Sequence, residues 1–222
     1  MAHRLAEKLS LPIEFIAAGS ERRAAGLLNA GACDLYMKSM PVTARRTEHF
    51  AMTSPVYQSS AGLIVRDHRR SEFQSWDRIR NREDSVRLGI ENSPEDIARF
   101  QPLFPGAEFV LIENMDRQRQ ILEAGGEGLD AIIDMAEQGA AWTVLYPSFN
   151  LVVPRPAVSF PVSYAVAYQN RRLLVSVDAW LSVEKSAGTV DQLYRYWMLG
   201  EAAKAERPPR WSVIRDVLGW VD

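Results

Sequence analysis

Three places in this chain carry residue types that could do chemistry on a small ion. The first is Thr43-Ala44-Arg45-Arg46. Thr43 can start a helical turn by accepting one of its free backbone N–H groups. Arg46 then lies just beyond a strand, where a cleft-facing guanidinium could grip a carboxylate through two parallel hydrogen bonds. The second is Asn92-Ser93-Pro94-Glu95-Asp96. Ser93 reads as a helix cap, Pro94 takes the first helical position, and acids fill the first turn. N–H groups at such a helix start point outward and favour an anion. The third is Asp134, an acid closing the run Leu129-Asp130-Ala131-Ile132-Ile133. Each has a plainer role as well: Arg46 as a surface residue, Ser93 as a cap alone, Asp134 as the cap of the helix that follows it.

All three lie where a strand gives way to a helix or loop, the place where open α/β sheets gather ligands. Residues 1–9 form an amphipathic helix with Leu5, Ala6 and Leu9 on its apolar side. Pro12–Ala17 alternates apolar and polar and reads as a strand. Ser20 caps a helix through Leu28, with Glu21 favoured in its first turn by the dipole, and Gly31 ends it. Leu35–Met37 is the next strand. Helix–strand alternation of this kind predicts a parallel sheet covered by helices. Ala61–Arg66 is apolar and extended. Asp67–Asp84 is polar and Arg-rich, a solvated surface or mobile insertion with Trp76 and Ile79 anchoring a short helix. Strands follow at Val86–Ile90, Glu108–Ile112, Leu129–Asp134, Asn150–Val153 and Phe160–Tyr168. Asn170 opens a helix in which Leu173, Leu174, Val177, Trp180 and Leu181 recur at helical spacing. Gly188-Thr189 restarts a helix to Trp197. Residues 201–209 read as a charged linker ending in Pro-Pro. Trp211, Ile214, Val217, Leu218 and Val221 then form one apolar stripe on a final amphipathic helix.

The order Gly31, Asp34, Ser39, Thr43, Arg46, Phe50, Thr53, Pro55, Tyr57 resembles the family 3 extracellular solute-binding proteins, the amino-acid receptors of ABC importers. The resemblance implies an α/β, two-lobed, periplasmic-binding-protein-like (type II) fold with hinge strands between the lobes. It implies lobe one at residues 1–64 and 156–200, lobe two at 65–155, and a tail at 201–222 that the family does not cover. It also implies a chain shortened at its N-terminal side, so that the first sheet has an open edge. By the same resemblance Arg46 holds a ligand α-carboxylate, Ser39 and Met40 contribute from the strand end, Asn92 and Ser93 add donors from lobe two, and Asp134 receives the α-ammonium. A zwitterion needs a cation at one end and an anion at the other. Hydrogen bonds to ionised groups contribute about 1.5–3 kcal/mol each. Two lobes that each hold part of the clamp close when a ligand satisfies both. Two departures stand out: Pro41 has no backbone N–H to give, and Asn92 stands where the family usually has glycine. Lys38 is expected to face water.

The remaining function classes find little support. The chain has 222 residues, 47% hydrophobic and 24% charged, with a formal net charge of −2. That balance gives no general pull toward nucleic acid or anionic lipid. A single cysteine, Cys33, precludes an internal disulfide. His3, His49 and His68 lack metal-ligand spacing, and Gly125-Gly126-Glu127-Gly128 lacks the Lys-Ser/Thr ending of a phosphate loop. No cofactor or metal is expected. The partners expected are a small-molecule ligand and, through the family, ABC transporter membrane subunits, in an extracytoplasmic location. Two further readings keep the same fold. One is a ligand-sensing domain of a larger membrane protein. The other is a cyclohexadienyl-dehydratase-like enzyme in which Asp134 or Glu91 would be the acid.

Overall fold

The computed structural model describes residues 1–91 and 94–199. Asn92, Ser93 and the whole 201–222 tail therefore lie outside the described residues. The chain runs α1 (Ala2–Leu9), α2 (Glu21–Asn29), β1 (Leu35–Pro41), α3 (Ala44–His49), β2 (Phe50–Met52) and β3 (Tyr57–Arg66). It continues with α4 (Trp76–Arg80), β4 (Arg87–Glu91), α5 (Pro94–Phe100), β5 (Glu108–Ile112), α6 (Met115–Glu123), β6 (Ala131–Met135) and α7 (Ala136–Leu145). Last come β7 (Phe149–Val152), β8 (Ser159–Ala167), α8 (Arg171–Ser186) and α9 (Thr189–Trp197).

Local chemistry sets many of these boundaries. Ser20 Oγ accepts from Arg23 N at 3.2 Å, Thr43 Oγ1 from Arg46 N at 3.3 Å, and Asn170 Oδ1 from Leu173 N at 3.3 Å. Each cap satisfies one of the N–H groups a helix start leaves without a partner. Gly31, at φ 68°, turns the chain out of α2 in the left-handed region where a side chain would be strained.

Four hydrophobic clusters build the two lobes, two around β3, β4 and β6 and two around β8. In lobe two, β6 and β5 flank β4 in parallel, and β6 also pairs antiparallel with β3. Alternate residues of these strands point to opposite faces, and both faces are buried. Leu63, Val65, Leu88, Ile90 and Ile133 pack toward Phe73, Trp76 and Phe100, while Ile64 and Ile132 pack toward Ile121, Leu122 and Trp142 on the other side. That double cover accounts for the near-continuous apolar runs of these strands. The Arg-rich segment after β3 is also built in, contrary to the solvated insertion the sequence suggested. Phe73 is fully buried, and Arg69 binds both Glu72 and Asp130 at 2.9 and 2.7 Å.

Lobe one departs from the parallel sheet expected of it. β1, β2 and the first part of β3 all pair antiparallel with β8. The expected strand at Pro12–Ala17 is absent. That segment joins no ladder among the described residues, although β1, paired only with β8, leaves its other edge open. Without a neighbour to take its N–H and C=O groups, an alternating sequence has no reason to remain a strand. Leu11, Phe15 and Ile16 consequently stay exposed.

The lobes are joined by β3 and β8. Tyr57–Ser60 of β3 pairs with β8, and from Ala61 onward β3 changes partners to β6 and β7. At the changeover Ser60 Oγ and Ser159 Oγ share a hydrogen bond of 3.0 Å. Glu137, in the first turn of α7, accepts from Ser59 Oγ at 2.5 Å and from the Tyr194 hydroxyl at 2.7 Å, tying lobe two to α9.

Candidate functional site

A cleft opens between the C-terminal end of β1 and α3 on one side and the ends of β4 and β6 on the other. Lobe one contributes Glu21, Lys38, Ser39 and Arg46, and lobe two contributes Glu91, Asp96, Arg99, Asp134 and Gln138. Phe100, Ile133 and Phe160 supply apolar wall. Arg99 lies 5.7 Å above the Phe160 ring, close enough for a cation–π attraction.

Arg46 reaches the cleft because Thr43 starts α3 three residues earlier. Its guanidinium is already engaged. Nε donates to Glu21 Oε2 at 3.0 Å, Nη2 to Glu21 Oε1 at 2.8 Å, and Nη1 to the Pro41 carbonyl at 3.1 Å. Burial pulls the pKa of this guanidinium down, but the hydrogen bonds and charge of Glu21, with Asp96 and Glu91, outweigh it and the net shift is upward. Arg46 is thus a firmly charged group whose fork is filled by a carboxylate of its own chain.

Asp134 sits near the end of β6, where the strand passes directly into α7. Its Oδ1 accepts from Met135 N at 2.7 Å, and Oδ2 accepts from Gln118 Nε2 at 2.9 Å and Gln138 Nε2 at 3.3 Å. Gln118 is itself 1% exposed, so a buried amide is aimed at the carboxylate. Burial pushes the Asp134 pKa up to about 6, against the pull of Gln118 and Met135 N. Glu91 adds to the rise and Lys38 opposes it. Among the described residues no cation forms an ion pair with Asp134.

Of the residues singled out in the sequence, Ser39, Arg46 and Asp134 come together here. Ser39 lines the cleft and opposes the rise that burial gives the nearby Tyr57 pKa. Met40 does not belong to the set as a side chain. It is 1% exposed and packs among Ala24, Leu28, Phe50 and Ala165, so only its backbone can border the cleft. Asn92 and Ser93 lie outside the described residues. Lys38, expected in water, lines the cleft instead. Its Nζ lies 3.8 Å from Met115 Sδ in lobe two. Sequence reasoning missed Glu21, Gln118 and Gln138 as site residues. Gln138 was within reach of a pattern search, standing four residues after Asp134 at a helix start. Glu21 read as an ordinary first-turn acid, and nothing local announces that it faces Arg46 across 25 residues of chain.

Among the described residues no three His, Cys, Asp or Glu side chains are placed to hold a metal ion, and no helix is long and apolar enough to cross a membrane.

Two lobes joined by a pair of strands, with polar groups from each facing a shared cleft, define the class of two-lobed type II solute receptors. The solved structures agree on the fold. AbpA, an amino acid ABC transporter substrate-binding protein from Streptococcus pneumoniae bound to L-arginine, is 18% identical with a TM-score of 0.69, covering 92% of this chain and 81% of that one. An ancestral amino acid-binding protein, a precursor of cyclohexadienyl dehydratase, is 21% identical with a TM-score of 0.68, covering 89% and 82%. The GluR0 ligand binding core in complex with L-glutamate is 16% identical with a TM-score of 0.69, covering 88% and 86%. No curated protein matches the chain in sequence. The bacterial extracellular solute-binding proteins, family 3, match residues 1–200, and the chain belongs to that family.

Proposed function

We propose that this protein captures an amino acid or a similar small solute between its lobes, outside the cytoplasm, and delivers it to an ABC-type importer. The observation that carries the reading is the meeting of Arg46 from lobe one and Asp134 from lobe two at one cleft. Asp134 offers a partly dehydrated carboxylate to an ammonium group, and Lys38, Arg46 and Arg99 supply positive charge nearby. A ligand touching both lobes stabilises their closed arrangement in proportion to the contacts made only there.

The test is a thermal-shift screen with amino acids, dicarboxylates and organic amines. A ligand at a hundredfold excess over its Kd adds about 2.7 kcal/mol of stability. The shift given by any hit is expected to vanish in Asp134→Asn; a shift of unchanged size in that variant excludes Asp134 as the cation seat.

A second reading has one observation in its favour. With its pKa raised to about 6, Asp134 is protonated in mild acid and could act as a general acid on the same scaffold. Mass-spectrometric detection of product from a bound hydroxy acid would favour that enzyme, and its absence over many hours favours the receptor.

A further inference from the structure

The two ends of the cleft are not equally available to a ligand. At the lobe-one end, the forked side of Arg46 is bound by both oxygens of Glu21, and a third N–H goes to the Pro41 carbonyl. At the lobe-two end, Asp134 is held by three neutral donors and by no cation among the described residues. We propose that Glu21 is a tethered carboxylate that competes with ligand carboxylates for Arg46, and so turns the cleft toward organic cations lacking an α-carboxylate. The proposal rests on the reading of this cleft as the ligand site and narrows its ligand class.

The physical argument is one of competition. A zwitterion that uses Arg46 has to displace Glu21, which is attached to the same lobe and present at a high effective concentration. Glu21 is the first residue of α2, held at that place by the Ser20 cap. Both partners are half-shielded, with side chains 18% and 33% exposed, so the pair is less screened than a surface one. A diamine or decarboxylated amino acid does not have to displace Glu21, although Lys38 and Arg99 also line the cleft. It brings the cation Asp134 lacks and leaves the Glu21–Arg46 pair intact. Glu91 beside Asp134 adds to the attraction. Pro41, with no N–H to give, weakens the anion seat at the same place.

Matched ligand pairs test this by calorimetry: L-arginine against agmatine and L-lysine against cadaverine, on wild type and Glu21→Gln. Wild type is expected to bind the decarboxylated member of a pair at least about tenfold tighter. Glu21→Gln is expected to bind the parent amino acid about tenfold tighter than wild type does, with the amine changing less than about threefold. Glu21→Asp, one methylene shorter and still charged, is expected to fall between them. Wild type binding with no preference for the amines, or Glu21→Gln weakening the amino acids, would overturn the role of Glu21 while leaving the cleft as the ligand site. Failure of both proteins, each folded by circular dichroism, to bind any of the four compounds would sink the ligand-site reading and this proposal with it.

Discussion

The two lobes bring opposite charges to one cleft in different states of readiness. Lobe one presents Arg46 with its charge matched by Glu21. Lobe two presents Asp134 among amides, with burial raising its pKa, Lys38 opposing that rise, and no ion pair to it among the described residues. The frameworks behind them differ in the same sense. Lobe two is a sheet packed on both faces, with Leu63 and Leu88 fully buried, whereas lobe one keeps β1 as a strand paired on one side only and leaves Pro12–Ala17 outside any ladder. The group without an ion-pair partner is thus carried by the lobe whose strands are paired on both edges at β3, β4 and β6, where a rigid support can hold the carboxylate in place.

The largest expected effect tests that support. Leu63 is fully buried on the central strand of lobe two, so Leu63→Ala should cost about 2–5 kcal/mol in urea denaturation through lost transfer energy and the cavity left behind. A cost below about 1 kcal/mol would mean that the packing of lobe two is no better than that of lobe one.

Next comes Asp134→Asn. A carboxyl whose pKa rises from 3.8 unfolded to about 6 folded binds its proton more tightly in the native state. Native stability therefore falls as pH rises through that interval, and the full cost applies above it. Removing the charge should stabilise the ligand-free protein by about 3 kcal/mol at pH 7, at about 1.36 kcal/mol per pKa unit, and by almost nothing near pH 3.5. The same linkage acts on binding. A cationic ligand favours the ionised carboxylate, so its Kd should tighten as pH rises through about 6 and then level off. A pH-independent Kd between pH 5 and 7.5 would contradict Asp134 as the cation seat.

Arg46→Ala probes the satisfied end. Loss of its ion pair with Glu21 should destabilise the ligand-free protein by about 1–2 kcal/mol, below the upper range for charged hydrogen bonds because both partners are partly solvated. Equal loss in Glu21→Gln, with little further loss in the double variant, would identify the pair as the common origin.

Much of this was legible beforehand, for physical reasons that differ by residue. Caps at Ser20, Thr43 and Asn170 are local, so residue type and position were enough to place them. β5 at Glu108–Ile112 and α9 ending at Trp197 fall where pattern and turn residues put them. Residues that act through sheet alternation or distant contact were harder. Met40 and Lys38 exchanged their expected surroundings because an irregularity in the β1–β8 register between Tyr36 and Met40 breaks simple alternation. Glu21 was invisible as a site residue because its partner is defined only by the folded chain. The segment Pro12–Ala17 misled for the opposite reason: its pattern is that of a strand, but a pattern cannot supply a neighbour.

That segment gives the smallest expected effect and the most direct check on lobe one. Phe15 is 68% exposed, its ring meeting only the edge of His3 at 5.4 Å among the described aromatic contacts. Phe15→Ser should therefore change stability by no more than about 0.5 kcal/mol, the usual range for surface substitutions. A phenylalanine packed in a sheet would instead cost about 3–5 kcal/mol on truncation. Amide exchange separates the two cases without mutation. Unpaired N–H groups at residues 13–17 should exchange rapidly, while those of residues 61–65, which pair with β6, should open only with the lobe itself. Strong protection at residues 13–17 would mean that this segment finds a strand partner in solution, and the contrast between a fully covered lobe and an incompletely paired one would then disappear.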